Sequence, residues 1–245
     1  MTATLDVRIP VAEGGELSAS VARPAARRRA SAAIVVLHEI LGLNADIRRI
    51  TGRFADEGFL ALAPDFLRGL GPRPLCMIRF MRGLARGEQG RPFRQLDAAR
   101  AWLATTEGVE PDRIGVAGFC IGGGFALLYA ARGGVPTVAP FYAAVPDDPA
   151  TALAGICPVV ASYGARDRVF GAHGTRLAAA LTALGVPHDV KTYPDAGHSF
   201  MNTMGGPLGW VARRTPMHAG YHEASAEDAW ARTIEFFVRH LGVRD

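Results

Sequence analysis

Gly118-Phe119-Cys120-Ile121-Gly122 follows a short apolar run at 114–117 and precedes a helical one at 125–131. The reading is strand, tight turn, helix, with Cys120 at the apex: a nucleophile elbow. Glycines stand two before and two after the cysteine because strand and helix cross there too closely for a Cβ. Such a turn lifts the thiol above the sheet and aims the first N–H groups of the helix at the same point. A nucleophile and an anion site arise from one turn. The string alone is a weak signal, since a lone cysteine is commonly a buried apolar residue. The rest of the chain, in its order, decides between the two.

Outward from the elbow, strand-like and helix-like segments alternate. Residues 5–9 and 17–22 read as a hairpin across Ala12-Glu13-Gly14-Gly15. The run 32–37 is continuously apolar and β-branched, as a strand buried on both faces requires. A helix over 47–57 stops at Gly58, and a buried strand over 59–63 is closed by Pro64-Asp65. The stretch 79–103 is helical in pattern with breaks near Gly83, Gly87 and Gly90, and it closes in a helix over 93–104. After the elbow come an apolar run at 136–144, a strand at 158–163, a helix at 177–184 and a strand at 189–193. An amphipathic helix covers 226–240. The alternation predicts an α/β fold: a mostly parallel central sheet with helices on both faces, in one domain over 1–245.

Composition narrows the function classes. Apolar residues make up 49% and charged residues 20% of the 245, enough for a substantial core and too apolar for a disordered chain. The net charge is +4, yet Lys191 is the only lysine. The basic residues therefore read as an Ala/Arg/Gly bias, and the run Arg27-Arg28-Arg29 as an exposed loop, with no nucleic-acid partner expected. Three cysteines, Cys76, Cys120 and Cys157, are an odd number in a chain that needs no disulfide staples. The first residues show no signal pattern, and no apolar run reaches a membrane-spanning length. A cytoplasmic enzyme with no membrane partner is the expectation, as monomer or homodimer.

A cysteine nucleophile needs a base and an orienting acid. In α/β-hydrolases the order along the chain is nucleophile, acid, histidine. Here Asp167 follows the strand ending at Tyr163, and His198 follows the strand ending at Tyr193. Both stand just past strand C-termini, the edge where open α/β sheets build their sites. Asp167 fixes the tautomer of His198, and His198 holds or takes the thiol proton. Asp167 also fits a cap ahead of Phe170, and His198 a loop histidine satisfied by backbone. Asp195 is a competing acid but reads better as a turn residue.

A fourth group lies at 38–44, His-Glu-Ile-Leu-Gly-Leu-Asn. This is where hydrolases carry an oxyanion loop, so the backbone N–H of Ile40, with that of Ile121, is the expected oxyanion hole. Glu39 would then stand beside the thiol, as acceptor of its hydrogen or as a base; without those neighbours it reads as a surface carboxylate. His38 is assigned as structural, because nothing nearby completes a metal site.

Taken together these residues resemble the dienelactone hydrolase family. The motifs are His-Glu-Ile-x-Gly-x-Asn at 38–44, Gly-Phe-Cys-Ile-Gly-Gly at 118–123, Ala-Arg-Asp at 165–167 and Gly-His-Ser-Phe at 197–200. The resemblance implies a triad of Cys120, His198 and Asp167. It also implies that Glu39 holds the resting thiol until substrate redirects it to deprotonate Cys120. Known members open an unsaturated lactone bearing a carboxylate. They place an arginine four residues past the catalytic histidine to grip that carboxylate; here the position is Asn202. A second arginine would correspond to Arg79 or Arg82. Phe119, Ser199, Phe200 and Asn202 complete the expected pocket, and the long irregular stretch 201–225 reads as a lid.

The expected activity is therefore hydrolysis of a small carboxylic ester or lactone through a thioester acyl-enzyme, with a thioester as an alternative substrate. No cofactor or metal is expected, since Gly122-Gly123-Gly124 reads as elbow and helix packing and no phosphate loop is present. The alternatives are a non-catalytic relative that binds a small ligand, and a thiol redox sensor. The latter lacks an evident resolving cysteine.

Overall fold

The computed structural model describes residues 1–12, 14–25, 30–68, 75, 78–82, 90–203 and 206–242. Glu13, Arg27-Arg28-Arg29, Cys76, Gly83 and Gly87 lie outside the described residues. Eight strands form one sheet in the order β1-β2-β4-β3-β5-β6-β7-β8. The chain clusters into two compact units, Met1–Gly115 and Val116–Asp245.

In the first unit, β1 (Leu5–Pro10) and β2 (Glu16–Ala22) pair antiparallel from Leu5 opposite Val21 to Pro10 opposite Glu16. Gly14 and Gly15 both take left-handed φ, 91° and 85°, which is why glycines occupy that turn. β2 also pairs antiparallel with β4 (Leu60–Pro64), and β4 runs parallel to β3 (Ala33–Leu37). β3 and β4 are buried at every position, which explains their unbroken apolar sequence. Helix α1 (Ala45–Asp56) starts where the Asn44 side chain accepts the Ile47 N–H at 2.9 Å. It buries Ile47, Ile50, Phe54 and Ala55, one stripe at helical spacing. Each large apolar side chain in that stripe contributes about 1.5–3 kcal/mol of burial. Helix α2 (Arg91–Thr105) opens on Pro92 in its first turn, where a missing N–H costs nothing.

In the second unit, β5 (Ile114–Phe119) leads through Cys120 into α3 (Ile121–Ala130). β6 (Val138–Phe141), β7 (Val159–Gly164) and β8 (His188–Tyr193) follow, with β5–β6, β6–β7 and β7–β8 all parallel. Four strand C-termini therefore share one edge. Helix α4 (Pro149–Ala152) is a single turn capped by Asp148, whose side chain accepts from the Thr151 N–H. α5 (His173–Ala183) begins four residues earlier than the sequence suggests, because its N-cap is Ala172 with no capping side chain to announce it. α7 (Glu223–Leu241) begins three residues early, capped by His222, whose ring accepts from the Ser225 N–H. The stretch 201–225 contains a further helix, α6 (Gly206–Ala212), and is less irregular than expected. Among the described residues no helix is long and apolar enough to cross a membrane.

Candidate active site

The elbow is as tight as its glycines imply. A Cβ built on Gly118 would lie 2.2 Å from the Gly122 carbonyl oxygen, and one on Gly123 would lie 2.9 Å from the Ala143 Cβ. Cys120 sits between them at φ 54° and ψ −117°, a conformation L-residues adopt only when their surroundings enforce it. Enforcement is visible: its N–H donates to the Phe141 carbonyl at 3.1 Å, and its own carbonyl accepts from Gly123 and Gly124 at 3.0 and 3.2 Å. The thiol is partly exposed. By the geometry of a helix start, the N–H of Ile121 has no intrahelical partner.

Asp167 lies in the turn after β7 and His198 in the turn after β8. The structure brings them together: Asp167 Oδ2 is 2.7 Å from His198 Nδ1, and each residue is 2% exposed. The other Asp167 oxygen accepts the N–H groups of Val169 and Phe170 at 2.9 and 3.0 Å. The capping contacts and the contact to His198 thus belong to the same carboxylate. Because Asp167 is an acceptor, His198 carries its hydrogen on Nδ1 and a lone pair on Nε2. His198 Nε2 is buried with no hydrogen-bond partner among the described residues. Asp195 is exposed and sits in a turn, as expected.

Close backbone packing sets the histidine loop. The His198 N–H donates to the Met217 carbonyl at 2.8 Å, and the Gly220 N–H donates back to the His198 carbonyl at 2.9 Å. A Cβ on Gly197 would stand 2.1 Å from the His218 carbonyl oxygen, so only glycine fits there. Residues 215–222 are therefore a strap along the His198 loop, a role their sequence does not reveal.

Tyr142 is the residue that sequence reasoning missed. It follows β6, is fully buried at φ 40°, and its ring lies 4.9 Å from that of His198 and 6.2 Å from that of Phe119. It thereby links the elbow strand to the histidine. Its hydroxyl donates to the side-chain oxygen of Asn202, which is itself 1% exposed. Nothing in the apolar run around Tyr142 marks it. Of the other expected pocket residues, Phe119 is buried and stacked on Phe141, Phe200 is buried against Tyr142 and Tyr193, and Ser199 is buried at φ 53°.

In the first unit, Glu39 is 4% exposed, so it is not a surface carboxylate. His38 explains the neighbouring geometry: its Nε2 accepts the Phe66 N–H at 3.1 Å, and its Nδ1–H donates to the Glu39 carbonyl at 2.8 Å. Both nitrogens are in use, the ring is neutral, and burial holds its pKa below the ordinary value. The Glu39 carbonyl also accepts the Gly42 N–H at 3.0 Å, closing the 39–42 turn. Ile40 exposes its side chain. Arg79 and Arg82 are exposed on a helical turn. Among the described residues no group of three or more His, Cys, Asp or Glu side chains is placed to hold a metal.

Comparison with known proteins identifies the family. The model of the dienelactone hydrolase family matches residues 17–241. A Salmonella typhimurium protein, named as a presumed carboxymethylenebutenolidase, is 31% identical over 94% of this chain and 85% of its own. A Rhodococcus opacus carboxymethylenebutenolidase is 30% identical over 86% of this chain and 82% of its own. The crystal structure of a presumed dienelactone hydrolase from Klebsiella pneumoniae superposes with a TM-score of 0.78 at 25% identity, covering 97% of this chain and 99% of the other. With its α/β-hydrolase sheet and this match along nearly its whole length, the chain belongs to the dienelactone hydrolase family of hydrolases.

Proposed function

We propose that the protein hydrolyses small carboxylic esters or lactones through a thioester formed on Cys120, with His198 as base and Asp167 as its orienting acid. The observation that supports this reading is the buried Asp167–His198 pair at 2.7 Å, with Nε2 of the ring left unpartnered. That pair stands on the sheet edge that also carries the strained Cys120 turn. The activity in the relatives' names, carboxymethylenebutenolidase, fits the same substrate class.

The substrate carbonyl docks with its oxygen toward the N–H of Ile121 at the start of α3. The Cys120 thiolate attacks; a C–S bond forms and the carbonyl electrons move onto oxygen. Collapse breaks the C–O bond, and the leaving alkoxide takes the proton that Glu39 removed from the thiol. Water then gives a proton to Nε2 and attacks the thioester, releasing the acid and regenerating the thiolate. Glu39 has the role implied by family resemblance: it holds the resting thiol and deprotonates it when substrate arrives. A thiolate is expelled easily, so activated esters and lactones suit this site and amides do not. Asn202 is committed to Tyr142, so a substrate without a carboxylate at that position is favoured.

A nitrophenyl ester tests the reading. Wild type should release a burst of about one nitrophenol per chain, abolished by iodoacetamide and by Cys120→Ala. The loss in Cys120→Ala should be at least ~10³-fold, the scale of triad deletions. Turnover near wild type in that variant would remove the reading. Cys157→Ala, at a partly buried position outside the turn, should keep activity.

A further inference from the structure

The second unit contains a pocket of about 210 Å³ lined by Arg166, Asp195, Gly197, Arg213, His218 and His222, among others. Its walls come from both loops that position the acid and the base. Arg166 precedes Asp167, Asp195 and Gly197 precede His198, Arg213 follows α6, and the remaining residues belong to the strap. The loops are joined to one another there: the Arg166 N–H donates to the Ala196 carbonyl at 2.9 Å, and the Arg168 N–H to the Pro216 carbonyl at 3.0 Å.

The pocket is basic, with two arginines and two histidines in its lining. Arg23, Arg48, Arg49, Arg232 and Arg239 each reach a carboxylate. Neither the Arg166 nor the Arg213 guanidinium has a hydrogen-bond or ion-pair partner among the described residues. Arg213 lies across bare backbone, its Nε 3.0 Å from where a Cβ on Gly220 would be. Asp195 is the only carboxylate in the lining, so two fixed positive charges face one negative charge even with both histidines neutral. His222 accepts the Ser225 N–H on Nδ1, which makes its Nε2 a donor. A concavity with unpaired guanidinium forks and a ring N–H is complementary to a planar or tetrahedral oxyanion. A space of about 210 Å³ admits a small anion.

We infer that this pocket, joined to the backbone of the His198 loop, binds a small carboxylate or phosphate anion between Arg166 and Arg213. Such an anion bridges the loop of Asp167 and the turn after α6 that leads into the strap. It has two possible sources, an anionic group on the substrate itself or a separate small anion.

Calorimetric titration of inorganic phosphate into the full chain, at constant ionic strength, tests the site without reference to turnover. Wild type should bind saturably, with one phosphate per chain. Arg166→Gln and Arg213→Gln should each weaken binding at least tenfold, with the melting temperature of the unliganded protein unchanged. Phosphate binding no tighter in wild type than in the double variant would overturn the proposal. Two esters identify the source. If phosphate competes with nitrophenyl hemisuccinate, and Arg213→Gln raises KM for it but not for nitrophenyl butyrate, the anion is part of the substrate. If phosphate saturates its site without competing with either ester, the anion is separate.

Discussion

Asp167 divides its two oxygens between two tasks. One holds the N–H groups of Val169 and Phe170, and the other holds Nδ1–H of His198. In Asp167→Asn the amide oxygen keeps the backbone N–H groups, and the amide NH₂ then faces His198. The ring must turn its acceptor toward that donor, which places its hydrogen on Nε2 where a base needs a lone pair. Turnover in Asp167→Asn should fall by roughly 10²- to 10⁴-fold yet stay measurable, with the melting temperature nearly unchanged. His198→Gln should be close to inactive. Equal and mild losses at the two positions would mean that another histidine is the base. Glu39 makes a separate residue-scale prediction, resting on its proposed role beside the thiol. A neighbouring carboxylate disfavours the thiolate, so Glu39→Gln should raise the iodoacetamide labelling rate near neutral pH while lowering ester turnover. Coincident labelling profiles with unchanged turnover would make Glu39 a bystander.

At the scale of elements, the site rests on two places where backbone passes backbone without room for a side chain. One is the β5–α3 elbow, with Gly118 against the Gly122 carbonyl. The other is the strap at 215–222 against Gly197, where the His198 N–H and carbonyl are both bonded to strap residues. Gly197→Ala would force a Cβ to within 2.1 Å of a carbonyl oxygen, which neither rigid partner can yield without moving. The expected cost is about 2 kcal/mol or more. In a chain of this size that lowers the melting temperature by roughly 4–8 °C. Because the displaced strap is bonded to both the N–H and the carbonyl of His198, kcat should fall with it. A calorimetric scan beside ester kinetics checks both; a neutral Gly197→Ala would mean that the strap is not packed as described.

For the whole molecule, buried histidines set the acid limit of stability. His38 is the clearest case, fully enclosed with both ring nitrogens used and Asp65 4.0 Å from Nε2. Burial lowers its pKa, and burial also lowers those of His173 and His240, with Arg176 and Arg239 adding to the effect. A histidine whose folded pKa is depressed favours the native state fully above its unfolded pKa, near 6.5. Below that value the unfolded chain gains a proton that the native chain refuses, so stability falls as pH drops. His38 accounts for a slope of at most about 1.4 kcal/mol per pH unit. Urea unfolding at pH 7.5, 6.5 and 5.5 should show little change in the first interval and a loss in the second. His38→Gln should flatten the loss, since its amide can accept from Phe66 and donate to Glu39. A stability that rises between pH 6.5 and 5.5 would contradict the reading.

The sequence by itself determined what local chemistry determines. Apolar runs announced β3, β4, β5 and β7, because a strand buried on both faces takes apolar side chains at nearly every position. The glycines around Cys120 announced the elbow, because no other residue fits within 2.2 Å of a carbonyl oxygen. The order Cys120, Asp167, His198 was legible because each follows a recognisable strand end. Helices α5 and α7 were placed late, because Ala172 and His222 are not capping residues that a sequence advertises. Only the tertiary structure decided the rest. It buried Glu39, which without its neighbours reads as a surface carboxylate, and joined Tyr142 to Asn202 across 60 positions. It laid residues 215–222 along the His198 loop and left Arg166 and Arg213 unpaired in one pocket. Those outcomes depend on which distant backbones meet, and contact between residues far apart in the chain has no period, cap or turn residue to reveal it.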